Sequence, residues 1–458
     1  MKKMLSIAVS VAVIAGLAAC SSPGASTAPT DLSAPGPAAL DSTKGVTDVT
    51  LWHGLGAANG VALDKLVAEF NEANAGKIKV TATYQGAYPD LLAKYTAGVR
   101  SKSTPTVMLA GDIGTGYLTD VKQSVPAADM AAANPDDLKL SEIVSAGKNY
   151  YSVDGKQQAI PMAMSTPVLW ANRDLLRKAG IDDRTDLSTL KAVASAARTV
   201  TEKTGQKGIT QAADDWWIEQ MAAGAGEEFC TPGNGRKGQL ATGLAINKGK
   251  TKEAFSTVAD LFRSGVGLDG APDGSAALTA FQAGKVGFMF YSSGILGALK
   301  KGTPFDYEAL PYPTSGPKST AGSVVGGSGL WLSATASDAQ QVAGWKLETF
   351  MTSAAAQEEF SHGTGYVPVN DKVAASPTQK AYLAANPNFR VFTQQINKVP
   401  AGTPTSGCLS GAMTSIRAGN VAQMQAAYSG AKTVGAALDQ AAADAAAAIK
   451  QYQEQRGK

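Results

Sequence analysis

Apolar and β-branched residues fall into short strand-like runs separated by stretches of helical spacing. Val46 to His53 reads as a strand, and after the glycine-bounded turn Gly54 to Gly60, Val61, Leu66, Val67 and Phe70 recur as one helical face. Lys77 to Tyr84, KIKVTATY, alternates as a strand does; Tyr88 to Ser101 is helical; and Thr106 to Leu109 is a third strand ahead of Gly111-Asp112-Ile113-Gly114. Strand, helix, strand, helix, strand predicts a parallel sheet with helices on its faces. Ligands of such sheets sit at the carboxyl ends of the strands, where Tyr88 and Asp112 would lie.

Pro161 to Arg173, PMAMSTPVLWANR, is an apolar run with Ser165, Thr166 and Pro167 at its centre. It reads as a strand leaving one α/β unit and entering a second. Helices over Arg173 to Gly180, Leu187 to Lys203, Lys250 to Gly265 and Ser275 to Gly284 follow, with strands at Gly208 to Ala213 and Val286 to Tyr291. Ser323 to Ser333, SVVGGSGLWLS, is glycine-rich within a β-like run and is the candidate return crossing. Ser337 to Phe360 is helical, GTGYVPVN forms a third connection with Tyr366 at its tip, and Arg417 to Tyr452 reads as two closing helices. The pattern predicts two lobes with a cleft beside the crossings.

Length agrees, since 458 residues exceed what one core usually supports. A net charge of +3 shows no strong bias toward nucleic acid or an anionic surface. Lys2, Lys3 and the apolar run Leu5 to Gly16 read as an export leader ending at Leu17-Ala18-Ala19-Cys20. That tetrapeptide resembles the bacterial lipobox, which implies cleavage before Cys20 and lipidation of its thiol. No other apolar run approaches the roughly 20 residues of a membrane span. Residues 20–46, rich in Pro, Ser, Ala and Gly, read as a lipid-anchored flexible tether after the signal peptide of residues 1–19. Cys230 and Cys408 remain, and in an exported protein a disulfide is the expectation, with two buried thiols the alternative. Two histidines and no CxxC argue against zinc, and no metal or cofactor is expected.

No GxSxG, GxxxxGK[ST] or HExxH is present. Asp112 with Asp214 or Asp215 could form a glycosidase pair, but aspartates after strands more often bind ligands or cap helices. Tyr88, Asp112, Ser165, Trp216, Trp217, Ser292, Tyr366 and Arg417 combine aromatic faces, hydroxyls, one acid and one base. Such a set suits a polyol or sugar, with the arginine adding capacity for a phosphate oxygen.

The segments LWHGLGAANGVALDKLVAEFNEAN, TYQGAYPDLLAKYTAGVR and PMAMSTPVLWANRDLLRKAGI resemble extracytoplasmic solute-binding proteins of ABC importers. TYQGAY, STPVLW, GGSGLW, TGYVPV and SIRAGNVAQMQAAYSGAKTVGAALDQA are similar to those members that bind glycerol 3-phosphate. The resemblance implies a two-lobed α/β fold of the periplasmic-binding-protein, maltose-binding-protein-like kind. Residues 47–161 and 329–366 would form the first lobe, and residues 162–328 and 367–455 the second. It also implies a non-enzymatic monomer that works with permease subunits and takes glycerol 3-phosphate or a glycerophosphodiester such as glycerophosphocholine. A neutral oligosaccharide is the alternative ligand. Carried over position by position, the ligand residues would be Tyr88, Asp112, Ser165, Ser292 or Ser293, Trp217, Gly327, Tyr366 and Arg417. Asp214 stands where the family has a second tryptophan, and Trp216 would compensate.

Overall fold

The computed structural model describes residues 33–212, 214–270, 274–315, 322–400 and 402–457. The leader and Cys20 lie outside the described residues. The strands of the two main sheets are, in chain order, Thr47–His53 (β1), Ile78–Tyr84 (β2), Val107–Gly111 (β3), Ser124–Val125 (β4), Ile160–Ser165 (β5), Pro167–Asn172 (β6), Lys207–Gln211 (β7), Gly267–Asp269 (β8), Val286–Ser292 (β9), Tyr307–Pro311 (β10) and Gly326–Ser333 (β11). The first sheet runs β2-β1-β3-β11-β4, with β5 paired to β11. The second runs β8-β7-β9-β6-β10.

The expected parallel order holds for β1 with β2 and β3. Returning strand β11 makes the sheet mixed, because it pairs antiparallel with both β3 and β5. The second sheet repeats this arrangement: β7 is parallel to β8 and β9, whereas β6 is antiparallel to β9 and β10.

Ser165 pairs with Gly326 in the first sheet, and Pro167 pairs with Ser292 in the second, so the chain changes sheets across Thr166 alone. A division between Pro161 and Met162 would cut through β5, and one between Ser328 and Gly329 would cut through β11. Both strands belong whole to the first sheet. The β-branched, apolar character of the run keeps it extended on either side of the crossing, and proline is tolerated at Pro167 because it opens its strand.

Thr166 is fully buried, and its N–H, carbonyl and hydroxyl are all engaged. Its N–H donates to Ser293 Oγ at 3.2 Å, and its carbonyl accepts from Ser293 N–H at 2.9 Å. The return crossing is tied reciprocally: Val324 N–H donates to Gln220 Oε1 at 2.9 Å, and Gln220 Nε2 donates to the Val324 carbonyl at 3.0 Å. Gly327 has φ +116°, and a Cβ there would sit 1.8 Å from the Ala163 carbonyl oxygen, so β11 approaches β5 only as glycine.

Two cores lie one in each lobe. A third joins them beneath the crossings, where Met108 and Trp331 of the first sheet cluster with Trp170 and Met289 of the second. Cys230 and Cys408 are disulfide-bonded with Cα atoms 5.7 Å apart, which fixes the loop before helix Met413–Tyr428 onto the second lobe.

The segment read as tether up to residue 46 is partly folded. Ala38–Asp41 forms a helical turn, Leu40 is buried in the first core, and Asn134 Nδ2 donates to the Pro35 carbonyl at 3.1 Å. Leu40, with Ala34 and Ala39 packed beside it and Asp41 paired with Lys77, docks a stretch whose composition otherwise favours disorder.

Glu348, on helix Asp338–Met351, is buried in the first lobe, and its Oε1 has no hydrogen-bond partner among the described residues. Burial pushes its carboxyl up to about 8 from the ordinary 4.5. A group whose folded pKa lies above its unfolded one takes up a proton on folding, so stability falls as pH rises from about 4.5 through about 8. Glu348→Gln keeps the shape and removes this loss. Thermal melts should show the variant more stable than the parent at pH 8 and above, with a smaller difference at pH 5, and Tm should rise by roughly 1 °C for each kcal/mol regained in a chain of this length.

Candidate ligand-binding cleft

Between the two sheets, beside Thr166, lies a cavity of about 570 Å³. Its walls include Tyr88, Asp112, Ser165, Asp214, Trp216, Ser292, Gly327, Tyr366 and Arg417. The first lobe contributes Tyr88 from the start of helix Tyr88–Ser101 and Asp112 just beyond β3. Crossing strands contribute Ser165 and Gly327, and the second lobe contributes Trp216 from helix Trp216–Ala225, Ser292 from the end of β9 and Arg417 from helix Met413–Tyr428.

The placement of Tyr88 depends on two glycines. A Cβ on Gly111 would lie 2.5 Å from its ring, and one on Gly54 would lie 2.7 Å from it, so the phenol fits only between bare backbones. Its buried hydroxyl lies near those of Ser328 and Tyr366 without a hydrogen bond of normal geometry to either. Burial holds the pKa values of Tyr88 and Tyr366 above the ordinary phenol range, so both stay protonated donors. At the other end, Trp216 lies over Gly326, where a Cβ would come within 2.8 Å of the indole. Asp214 Oδ1 accepts the Trp216 N–H at 2.9 Å and so caps this helix, whose first residue is on the wall.

Among the described residues, Arg417 is the only basic residue on these walls. Its Nη2 donates to Asp112 Oδ2 at 3.2 Å and to Glu219 Oε2 at 3.2 Å, whereas Nε has no partner among the described residues. Burial disfavours its charge, but Asp112, Glu219, Asp214 and Asp215 outweigh that and hold its pKa above the ordinary value. Burial likewise raises the carboxyls of Asp112, Asp215 and Glu219, with Arg417 opposing in each case. The cleft is therefore rich in carboxyls around one guanidinium.

Two expected ligand residues are elsewhere. Trp217 is buried in the second core, stacked on Tyr312 at 6.1 Å and 5.9 Å from Phe290. Successive residues on a helix project about 100° apart, so Trp216 and Trp217 cannot both face the cleft. Ser293 is fully buried, and its hydroxyl accepts the Thr166 N–H. Ser292, whose Oγ accepts Gly294 N–H at 3.1 Å, is the serine on the wall.

Thr414, Ala418 and Val421 also line the cavity and were not singled out in the sequence. Their i, i+3, i+4, i+7 spacing with Arg417 would have found them, since it places all four on one helix face. Glu219 gives no such signal, because its partner Arg417 lies 198 positions away.

Residues 65–390 match the family described as bacterial extracellular solute-binding protein. The chain belongs to that family. Among the relatives of this solute-binding protein is the sn-glycerol-3-phosphate-binding periplasmic protein UgpB of Agrobacterium fabrum, 28% identical over 411 residues that cover 88% of this chain and 93% of the relative. UgpB of Escherichia coli O1:K1 is 25% identical over 412 residues, covering 89% and 93%. The fold is that of the maltose-binding-protein-like proteins. UgpB from Mycobacterium tuberculosis in complex with glycerophosphocholine superposes with a TM-score of 0.76 at 20% identity, covering 89% of this chain and 99% of the other. The GacH receptor of Streptomyces glaucescens, solved unliganded and with acarbose, gives 0.73 at 21% identity, covering 90% and 98%.

The two adjacent tryptophans should separate in unfolding experiments. Trp217→Ala empties a packed core position and should cost roughly 3–5 kcal/mol, whereas Trp216→Ala, at the edge of the same core where it opens onto the cavity, should cost less. Urea unfolding of the two variants measures the difference, and equal costs would mean that both rings are core.

Proposed function

We propose that this protein captures a glycerol-phosphate compound, glycerol 3-phosphate or a glycerophosphodiester such as glycerophosphocholine, and presents it to the permease of an ABC importer. The observation that carries this reading is Arg417: one guanidinium with an unpartnered Nε, set among tyrosine and serine hydroxyls in a cleft between two lobes. Arg417, Tyr366, Ser292 and the Gly327 amide would receive the phosphate, since charge-assisted donors and backbone N–H groups suit its oxygens. Asp112 and Tyr88 would hold the glycerol hydroxyls, and Trp216 would cover the carbon chain. Lobe closure about Thr166 would bury the ligand and stabilise one lobe orientation for the permease to recognise. The UgpB relatives support the ligand class. Cleavage before Cys20 and lipidation of its thiol would keep the working, monomeric protein at the outer face of the membrane.

A neutral oligosaccharide is a second reading, favoured by the two carboxylates already bonded to Arg417. Titration calorimetry with glycerol 3-phosphate, glycerophosphocholine, maltose and trehalose separates the two. A phosphorylated ligand should bind the parent protein, and Arg417→Ala should weaken it by roughly tenfold to a hundredfold, as expected for loss of one or more charged hydrogen bonds. Binding of maltose or trehalose alone, unaffected by Arg417→Ala, would replace the phosphate reading with the sugar one.

A further inference from the structure

Glu219 is buried, is absent from the cavity wall and is held at both oxygens. Oε1 accepts the N–H of Cys408 at 2.9 Å, and Cys408 is tied by its disulfide to Cys230. Oε2 accepts from Arg417 Nη2 at 3.2 Å, on the same nitrogen that serves Asp112. The carboxylate is thus clamped against the guanidinium from behind. Asp214 on the wall and buried Asp215, whose Oδ1 accepts from Asn420 Nδ2 at 3.0 Å, add two more acids around the same arginine. Arg236 also acts on Glu219, but it donates through Nε and Nη1 to the carbonyls of Gly407, Tyr150 and Ser152 and is absent from the cavity wall, so it does not meet a ligand there.

The charge of the ligand therefore matters more here than beside a lone arginine. A phosphate monoester carries about −1.5 to −2 at neutral pH. A diester carries one negative charge, and a quaternary ammonium on its other ester arm cancels it. Nη2 is already shared by two carboxylates, which leaves Nη1 and Nε as the donors for an incoming phosphate. A monoester would bring its extra charge into this acidic surround without a second base to meet it. An ammonium would gain from Asp214 and from the aromatic face of Trp216.

We propose that Glu219, acting through Arg417, makes the cleft select a phosphodiester that carries its own cation over a phosphate monoester. Glu219 is in this account a positioning residue, setting how much of the arginine's charge and which of its edges a ligand meets. The proposal rests on the glycerol-phosphate reading above.

Titration calorimetry of glycerol 3-phosphate and glycerophosphocholine against the parent protein, Glu219→Gln, Glu219→Asp and Asp214→Asn tests it. The parent should prefer glycerophosphocholine by at least about tenfold. Glu219→Gln, which keeps an acceptor for Cys408, should tighten glycerol 3-phosphate by about tenfold and change glycerophosphocholine by less than about threefold. Glu219→Asp, which keeps the charge, should retain the parent's preference. Asp214→Asn leaves the buried network intact and should shift the ratio the same way, so the test stands even if Glu219→Gln does not fold. Equal binding of both ligands by the parent, or equal shifts for both in the variants, would overturn this inference alone. Binding of neither would overturn the glycerol-phosphate reading and this inference with it.

Discussion

Arg417 of the second lobe and Asp112 of the first meet at 3.2 Å across the cleft, and the functional architecture depends on that contact. A buried ion pair is costly to form, because both partners leave water, and it is favourable only where geometry and further hydrogen bonds compensate. Here Glu219 supplies the second carboxylate, and the Cys408 amide and the disulfide fix it in place. At the ligand position the lobes meet through this polar contact, and the apolar cluster that joins them lies beneath the crossings. A solute that offers its own oxygens to the guanidinium can take part in that contact, and this gives binding a route to alter the relation of the lobes.

The contact can form only because the crossings set the two sheets in register. One residue, Thr166, carries the chain between them, and Ser293, Gln395 and Ser323 engage its polar groups. Gly327 allows β11 to lie against β5, and Gly54 and Gly111 admit the Tyr88 ring. These small residues convert a sheet edge into a cavity wall. The apolar cluster around Met108, Trp170 and Trp331 lies beneath them, so the polar cleft stands on a packed base.

Most of the fold was legible from the sequence, because strand alternation and helical spacing are local signals. The run through Ser165 and Thr166 announced a crossing by its composition, and the change of sheet falls there, across Thr166. Wall residues at strand ends and helix starts, such as Tyr88, Asp112 and Trp216, were legible for the same reason. Choices between neighbours were less so. Trp217 and Ser293 differ from Trp216 and Ser292 by one position, and which of each pair faces the cleft is set by helix phase and by the bond to Thr166. Glu219 was invisible, since its role exists only once two distant helices meet. Leu40 was hidden by the disorder-prone composition around it.

Arg417 is the group proposed to bind phosphate in this cleft. A crystal structure of the protein with glycerophosphocholine tests that role most directly. The phosphate should lie in the cavity between the lobes, with an oxygen at hydrogen-bond distance from Arg417 and from Tyr366. A ligand bound with its phosphate away from Arg417, or bound outside this cavity, would contradict it.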